Sequence, residues 1–438
     1  MPSLVRHPRI ASLLVVLAAA CGSACSPAPR PGRVLIVGID GASMRVIEPM
    51  IAAGRLPNLA AIGRAGASGK LRSLQPLLSP RIWTSVATGK LPAEHGILGW
   101  VLPSKAGEAT RLYDSHDRNV HALWNIFSRH GRSVATVNWL MTYPPEPVNG
   151  VMISDYAHPE EVDARRVLGR TFAGAAGASL REQDALREPT AWPAEWAQRA
   201  IAERHRKPLI PLADPFAPLA GTKLWAELAR VSLLASHDQG LVSAALEVEA
   251  ELHPDLLMIL LQGIDRISHF AFGTLEDESA WDPAYLEPAE ERPLAREALL
   301  DFYVYTDALI GRLLEGYAAD DLVIVLSDHG FAAAQQFPRG EHVEGDALDG
   351  VIFARGRGIA PGSSAGGASI LDIAPTVLAA AGLPAGADMP GRVAAFFDAE
   401  PPAAVASYET VPIPRLTRSA SGEEAERIEQ LRALGYVE

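Results

Sequence analysis

Three apolar segments, far apart in the chain, each lead into residues that can bind a metal ion. The segments and the residues that follow them are 33–39 with Asp40, 254–262 with Asp265, and 321–327 with Asp328 and His329. Continuous apolar runs of this length are typical of strands buried on both faces of a parallel sheet. In such sheets, binding sites form beyond the carboxyl ends of the strands. The sequence therefore predicts that these four side chains converge.

Helix and strand patterns alternate along the rest of the chain. Apolar residues at helical spacing predict helices, and short apolar runs between turn residues predict further strands. The predicted helices are 43–53, 56–64, 120–130, 241–252, 294–317 and 370–381, and the further strands are 133–138, 150–154 and 351–356. The repeated strand–helix–strand order indicates an α/β fold, in which a mostly parallel central sheet carries helices on both faces.

One region differs from this core in composition. Between residues 158 and 236, prolines repeatedly interrupt Glu-, Arg- and Ala-rich helical patches, and no strongly apolar strand is evident. We interpret it as an inserted helical cap lobe, whose Trp192, Trp196 and Trp225 either form the cap core or stack on a substrate ring. The predicted organisation is a targeting segment 1–25, a linker 26–32, a core in two parts 33–157 and 237–398, the cap 158–236, and a tail 399–438 with a charged helix at 423–434.

The first residues have the features of an export signal. Arg6 and Arg9 form a basic start, residues 10–20 are apolar but short for a bilayer span, and Cys21 follows. The order Leu-Ala-Ala-Ala-Cys is similar to a bacterial lipoprotein cleavage site. Its leucine lies one place early, so plain secretion stays an alternative. We predict an exported, periplasmic protein that is anchored to the membrane by a lipid on Cys21.

The net charge of −13 limits the partners of the chain. No stripe of basic residues is present in the sequence, so the backbone of a nucleic acid is not an expected partner. An acidic protein that acts on a small anionic substrate needs local positive charge, and bound metal ions can supply it.

A serine at the start of a helix-like segment is a candidate anion-binding residue. Ser79 precedes Pro80, and the small-residue segment after it ends at Thr88 and Gly89. A hydroxyl in this place faces unpaired backbone N–H groups and the positive end of the helix dipole, which favours an anion such as phosphate. Taken alone, the same pattern also describes an ordinary helix N-cap.

Two histidines extend the set of potential metal ligands. His269 follows Asp265 at helical spacing, and His342 lies in a polar loop. Individually, each acidic or histidine residue of the set has an ordinary explanation as a turn residue, a helix-surface pair or a solvated loop residue. Their coincidence at matching strand ends favours a metal centre.

In these motifs the chain resembles the alkaline phosphatase superfamily, specifically its type I phosphodiesterase and nucleotide pyrophosphatase family. The resemblance runs from Val34 to about Phe397, apart from the cap. Its motifs are Val-Gly-Ile-Asp40-Gly, Ser79-Pro-Arg-Ile-Trp-Thr-Ser-Val-Ala-Thr-Gly-Lys with Pro92 and His95-Gly-Ile, Asp265-Arg-Ile-Ser-His269, Ser327-Asp-His-Gly330, His342, Asp372-Ile-Ala-Pro-Thr and Met389-Pro-Gly. It implies an alkaline-phosphatase-like three-layer sandwich.

The resemblance also implies a two-zinc site and a hydrolase reaction. One zinc ion would be bound by Asp265, His269 and His342, and the other by Asp40, Asp328, His329 and the Ser79 oxygen. Mixed imidazole and carboxylate ligands suit zinc, with Mn²⁺ or Mg²⁺ as alternatives at one position. Ser79 would attack phosphorus and form a phospho-serine intermediate that water hydrolyses. The implied substrate is a small phosphodiester or nucleotide pyrophosphate.

Two other hydroxyls compete with Ser79 for the role of nucleophile. Ser79 lies nine residues before Thr88, which is the offset of the nucleophile in the family that the chain resembles. Thr84 and Ser85 lie a turn or more into the helix and are better explained as packing or capping groups. We therefore predict that Ser79 is the catalytic residue.

The predicted phosphate pocket departs from the family pattern. Eukaryotic members carry an asparagine three residues after the nucleophile, and this chain has Ile82 there. Arg81 beside it, or Asn138 at the end of a predicted strand, is the expected substitute. An arginine favours a more highly charged oxyanion, so a phosphomonoesterase or a phosphoryl-group transferase on the same core stays an alternative.

Two further classes are weighed against this prediction. Sulfatases carry a cysteine or serine two residues before a proline, and here Leu78 has that place. Their single calcium also prefers ligand shells made only of oxygen. A non-catalytic binding protein on the same fold would be expected to lose a ligand or the nucleophile, and this sequence retains all of them.

Overall fold

The three apolar segments form adjacent strands at the centre of a nine-stranded sheet. The structure is a computed structural model, and it describes residues 32–102, 111–155, 172–174, 233–277, 279, 291–334, 339–343, 345–398 and 400–415. The strands are β1 (Val34–Ile39), β2 (Ala67–Arg72), β3 (Val101–Leu102), β4 (Arg111–Leu112), β5 (Val134–Trp139), β6 (Gly150–Ser154), β7 (Phe172–Gly174), β8 (Leu256–Leu261), β9 (Leu322–Leu326), β10 (Ala332–Ala333), β11 (Gly340–Glu341), β12 (Asp349–Arg355) and β13 (Ser363–Ser364). The α-helices are α1 (Met44–Ala52), α2 (Pro57–Ala65), α3 (Ser79–Thr88), α4 (Pro92–His95), α5 (Leu123–Arg129), α6 (Leu233–Leu252), α7 (Gly263–Ala271), α8 (Arg292–Leu314) and α9 (Ile373–Ala380).

The strand order of the large sheet is β13-β2-β12-β9-β1-β8-β5-β6-β7. β1 is parallel to both neighbours, with Val34 opposite Leu256 of β8 and Leu322 of β9. β12 runs antiparallel to β2 and β9, and β7 runs antiparallel to β6. The centre of the sheet is therefore parallel, as predicted, and the carboxyl ends of β9, β1 and β8 lie side by side.

Alternating residues of β1 enter two separate cores. Val34 and Ile36 pack in a core with α3, α5 and α9. Leu35 and Val37 pack on the opposite face with α1, α2, α6, α7 and α8. Because every β1 side chain is buried on one face or the other, the strand reads as a continuous apolar run. The three-layer α/β sandwich is confirmed.

Three strands of the large sheet, and the four short strands β3, β4, β10 and β11 outside it, were not predicted from the sequence. β2 and β13 pair with each other in parallel at one end of the sheet, and β2 alternates small, polar and apolar residues that carry a weak strand signal. β7 lies in the predicted cap, where no strand was expected, and it extends the sheet beyond β6. This three-residue strand is not one of the strongly apolar strands that the sequence lacks in this region. Residues 158–171 and 175–232 of the cap, the targeting segment with Cys21, and residues 26–31 of the linker lie outside the described residues.

The first part of the C-terminal tail packs on the core. The Tyr408 hydroxyl donates to the Pro384 carbonyl at 2.6 Å and lies 3.2 Å from His130 Nε2. The Arg415 guanidinium donates to the carbonyls of Ser115 and Arg118. The helix predicted at 423–434 lies outside the described residues. Within the described ranges, no helix combines the length and the hydropathy that a bilayer span requires.

Candidate active site

The carboxyl ends of the three central strands bring four predicted ligands into one buried cluster. Asp40 directly follows β1, and Asp328 and His329 follow β9 after a single residue. Asp265 lies in the first turn of α7, the helix that begins just after β8. All four residues are at most 1% exposed. The four side chains therefore lie together at the ends of the strands, as the sequence predicted.

The turn after β1 is fixed by hydrogen bonds from the end of β9. The Gly41 N–H donates to Asp328 Oδ1 at 3.3 Å, and the Ala42 N–H donates to Ser327 Oγ at 2.9 Å. Gly41 has a φ of 70°, and a Cβ there would lie 2.6 Å from the Phe331 ring. Only glycine combines this left-handed backbone with so close a contact. The turn therefore holds the first aspartate of the site in a fixed place.

Ser79 is the first residue of α3, and its hydroxyl faces the acidic cluster. Its Oγ lies 3.2 Å from Asp40 Oδ1, to which it donates, and 3.3 Å from His329 Nε2. The side chain is 2% exposed. The N-cap of α3 is Leu78, not Ser79. The simple capping role that the sequence left open is therefore not the role that Ser79 has.

The N-terminus of α3 offers fewer free N–H groups than the sequence suggested. Pro80 has no N–H, and those of Arg81 and Ile82 both donate to the Leu78 carbonyl, at 3.1 and 3.2 Å. The helix dipole still favours negative charge here. Anion binding at Ser79 therefore depends more on cations than on the free backbone donors expected from the sequence.

The two competing hydroxyls have other partners. Thr84 Oγ1 donates to the Pro80 carbonyl at 2.7 Å, the bond that a mid-helix threonine makes to its own preceding turn. Ser85 Oγ lies 3.0 Å from Nε2 of His95, whose Nδ1 accepts the Ile97 N–H. Both hydroxyls join α3 to itself or to α4, whereas Ser79 faces the cluster.

Two overlapping groups of side chains have the spacing of metal ligands. They are Asp40, Asp328 and His329, and Asp265, His329 and His342, each with ligand atoms within 4.8 Å of one another. The first group agrees with one predicted zinc set. In the second, His329 has the place that was predicted for His269. The His269 Nε2 lies 3.6 Å from Asp265 Oδ1, and its ring centroid lies 5.1 Å from that of His342. His269 is therefore beside the group and outside its closest set.

The donor atoms fit bound cations. His329 Nδ1 lies 2.9 Å from the Gly330 carbonyl, which can only accept, so Nδ1 carries a proton and Nε2 is the ring nitrogen that faces the carboxylates. Asp328 Oδ2 and His342 Nδ1 are buried and make no hydrogen bond to the described residues. Such buried polar atoms cost about 1–3 kcal/mol each unless a ligand compensates them. Imidazole with carboxylate is the donor set that zinc prefers.

The electrostatics of the cluster also favour cations. Burial, and then the neighbouring Asp328 and Asp265, raise the pKa of Asp40 well above its ordinary value. Burial, and then Asp265, raise the pKa of Asp328 to about 7. Burial, and then His329, lower the pKa of His342 to about 3. Packing three carboxylates together is costly without positive charge, and a metal ion removes that cost.

The predicted phosphate-binding residues are less well supported by the geometry. Ile82 is fully buried in the core and has no polar atom to offer. Asn138 has a φ of 55°, which asparagine tolerates, and its Nδ2 donates to the Leu260 carbonyl at 2.9 Å. This bond joins β5 to β8. Arg81 is half-buried in the first turn of α3. A phosphate contact from Arg81 or Asn138 stays a prediction.

Sequence reasoning missed the residues that hold the ligands. Ser327 binds the turn after β1, and the Tyr303 hydroxyl accepts the Ser43 N–H at 3.2 Å. Gln262 Nε2 lies 3.5 Å from Asp40 Oδ2. The only sequence signal of Ser327 and Gln262 is their position at the ends of apolar segments. Tyr303 has no such signal.

The sequence model of the type I phosphodiesterase / nucleotide pyrophosphatase family matches residues 34–360. The chain belongs to this family. The matched segment begins at the first residue of β1 and contains all of the predicted metal ligands and Ser79. A comparison with curated protein sequences gave no match.

Several solved structures resemble the chain at low identity. Phosphonoacetate hydrolase from Sinorhizobium meliloti 1021, in complex with phosphonoacetate, is 18% identical with a TM-score of 0.41, over 69% of this chain and 58% of that one. Human ectonucleotide pyrophosphatase / phosphodiesterase 5 is 12% identical with a TM-score of 0.47, over 80% and 95%. BT4656, in complex with its substrate D-glucosamine-2-N,6-O-disulfate, is 14% identical with a TM-score of 0.44, over 83% and 79%. This chain thus spans 58% of the phosphonoacetate hydrolase chain. These similarities leave the substrate open.

Proposed function

We propose that the chain is a metal-dependent hydrolase of phosphoric esters that acts through a phospho-serine intermediate on Ser79. The observation that supports this most is the place of the Ser79 hydroxyl, 3.2 Å from Asp40 Oδ1 and 3.3 Å from His329 Nε2. A buried hydroxyl among metal-ligand atoms is what nucleophilic catalysis at a metal centre requires. The family match supports the same class of activity.

The residues of the cluster would hold two zinc ions. Asp40, Asp328, His329 and Ser79 would hold one, and Asp265, His269 and His342 would hold the other. The zinc ions, when bound, lower the pKa of a bound hydroxyl and balance negative charge on phosphate. Asp40 Oδ1 accepts the hydrogen bond of Ser79 and so orients its oxygen towards the substrate. Attack by that oxygen on phosphorus forms the O–P bond to Ser79 and breaks the ester bond to the leaving oxygen. Water then cleaves the phospho-serine and restores the hydroxyl.

The proposed substrate class depends on the residues beside Ser79. A small phosphodiester or nucleotide pyrophosphate is the family expectation. Since Ile82 offers no donor, Arg81 is the nearest cationic residue along α3, and it would favour the more highly charged phosphomonoester. A panel of aryl phosphomonoester, phosphodiester, phosphonate and sulfate substrates, compared by kcat/KM, separates these alternatives, and a preference for the sulfate ester would contradict the proposal.

Removal of the Ser79 hydroxyl tests the proposed nucleophile. We expect Ser79→Ala to lose several orders of magnitude in kcat while it keeps its zinc content, because the loss concerns the reacting atom. Ser85→Ala is the matched control, since it removes a buried hydroxyl from the same helix. Chelation should abolish activity and zinc should restore it. An active Ser79→Ala enzyme, or recovery with calcium alone, would contradict the proposal.

We further propose that the protein is exported to the periplasm and anchored through a lipid on Cys21. The basic start, the apolar run and the cysteine at its end support this. Growth of expressing cells with a clickable fatty acid should label the protein, and Cys21→Ser should remove the label. An unlabelled, freely soluble product would contradict the anchor.

A further inference from the structure

Two side chains with no part in the proposed reaction form a chain of hydrogen bonds that ends at Asp40. Gln262 lies between β8 and α7 and is 6% exposed. Its Nε2 lies 3.5 Å from Asp40 Oδ2, and its Oε1 accepts from Arg266 Nη2 at 3.3 Å. Arg266 is four residues further along, on the same face of the helical turn.

The chemistry of the three groups allows only one orientation of the amide. An ionised carboxylate can only accept hydrogen bonds, and a guanidinium can only donate them. The NH₂ group of Gln262 must therefore face Asp40, and its carbonyl must face Arg266. With the amide reversed, a carbonyl would oppose the carboxylate and an NH₂ would oppose the guanidinium. Arg266 thus keeps the NH₂ group of Gln262 directed at Asp40 Oδ2.

The other oxygen of Asp40 serves the reactive centre. Oδ1 accepts from Ser79 Oγ at 3.2 Å and lies 3.5 Å from His329 Nε2. A donor held at Oδ2 fixes the rotation of the carboxylate and so keeps Oδ1 directed at Ser79. Loss of partners that orient a metal-binding side chain typically costs about 10–100-fold in metal affinity or activity.

We propose that Gln262 is a positioning residue that orients the Asp40 carboxylate, and that Arg266 holds Gln262 in the required orientation. The inference rests on the proposed function for its kinetic readout. Zinc affinity provides a second readout that is independent of activity.

The test uses Gln262→Met, which removes both polar contacts at similar volume. Gln239→Met is the matched control, because Gln239 Oε1 accepts from the Tyr305 hydroxyl at 3.1 Å, away from Asp40. Zinc affinity is measured on the full-length, chelator-stripped protein by competition with a chromophoric chelator, and kcat and KM are measured at saturating zinc. We expect Gln262→Met to weaken zinc binding and lower kcat by about 10–100-fold, with KM little changed.

Variants of Arg266 test the second link. Arg266→Lys keeps a donor for the amide oxygen and should lose less zinc affinity and kcat than Arg266→Met. The double variant Gln262→Met/Arg266→Met should be no worse than Gln262→Met alone, because residues in one network are not additive. Fully additive losses would show that Arg266 does not act through Gln262.

The outcomes separate this inference from the proposed function. If Gln262→Met has the same zinc affinity and kcat as Gln239→Met, whether or not its KM is raised, Gln262 does not position Asp40. If Ser79→Ala stays active, the hydrolase proposal fails, while the zinc affinities still report on the network. If Gln262→Met does not fold, Gln262→Glu keeps the size and the Arg266 contact but lacks the donor. Its kcat should then fall by a similar factor, and an unchanged kcat would overturn the inference.

Discussion

Replacement of Asp328 by asparagine separates the electrostatic cost of the acidic cluster from the binding of cations. Burial, and then Asp265, raise the pKa of Asp328 from an ordinary 3.8 to about 7. Each pKa unit corresponds to about 1.4 kcal/mol, so ionising this group in the metal-free protein costs on the order of 4 kcal/mol. Asparagine removes the charge and keeps an oxygen for the Gly41 N–H, which lies 3.3 Å from Oδ1.

The sign of the effect depends on pH. The pKa of Asp328 is higher in the folded than in the unfolded state. The free energy of unfolding of the metal-free wild type is therefore highest below about pH 4 and falls as the pH rises to about 7. We expect the free energy of unfolding of metal-free Asp328→Asn to exceed that of the metal-free wild type by up to about 4 kcal/mol at about pH 8. Near pH 4 we expect no difference in its favour. Zinc should reverse the order, since the variant lacks a ligand and the wild type gains binding free energy.

Urea unfolding with chelator and with excess zinc measures these differences. Asp372→Asn is the control, because both carboxylate oxygens of Asp372 accept backbone N–H groups, at 2.9 Å each, away from the site. It should destabilise the protein at both pH values, since its NH₂ group would face a donor. A metal-free Asp328→Asn that is less stable than wild type at about pH 8, or equal stabilisation of both by zinc, would refute the reasoning.

Two further predictions concern buried residues. Arg118→Met should cost about 3–5 kcal/mol in urea unfolding at neutral pH, because it leaves the buried Glu146 carboxylate without its cation. Burial alone raises the pKa of Glu146, but Arg118 lowers it overall, so the cost should shrink as the pH falls, and a pH-independent loss would contradict this. Gly41→Ala should cost more than about 1 kcal/mol and weaken zinc binding, because its Cβ would meet Phe331. Gly54→Ala has a similar φ of 72° with open space around it, and an equal loss there would show that only backbone strain matters.

The central strands and their ligands could be predicted from the sequence because the signal is local. An apolar run followed by Asp40, or by Asp328 and His329, marks both the strand and the edge where it ends. The sequence could indicate Ser79 as the candidate residue, but not the side chains that its hydroxyl contacts. Its capping alternative was removed only by the position of the helix start, which is Ser79 itself, one residue earlier than a Ser79 N-cap would require.

The remaining features depend on long-range pairing. β12 reads as a strand in the sequence, but its antiparallel direction follows from its neighbours β2 and β9. The Gln262 contact to Asp40 joins residues 222 positions apart, and no local pattern marks it. The place of His329 between both ligand groups depends on the turn after β9 and on the loop that carries His342. Spacing along the chain cannot show which histidine is nearest to which carboxylate.

The covalent intermediate on Ser79 is the central claim, and it can be measured directly. The zinc-loaded enzyme is mixed with an aryl phosphate ester, quenched in acid during turnover, digested and analysed by mass spectrometry of its peptides. We expect one phosphoryl group of the substrate on Ser79 of the 79–88 helix, and no modification or turnover in Ser79→Ala. A phosphoryl group on Thr84 or Ser85, or full turnover by Ser79→Ala, would contradict the account.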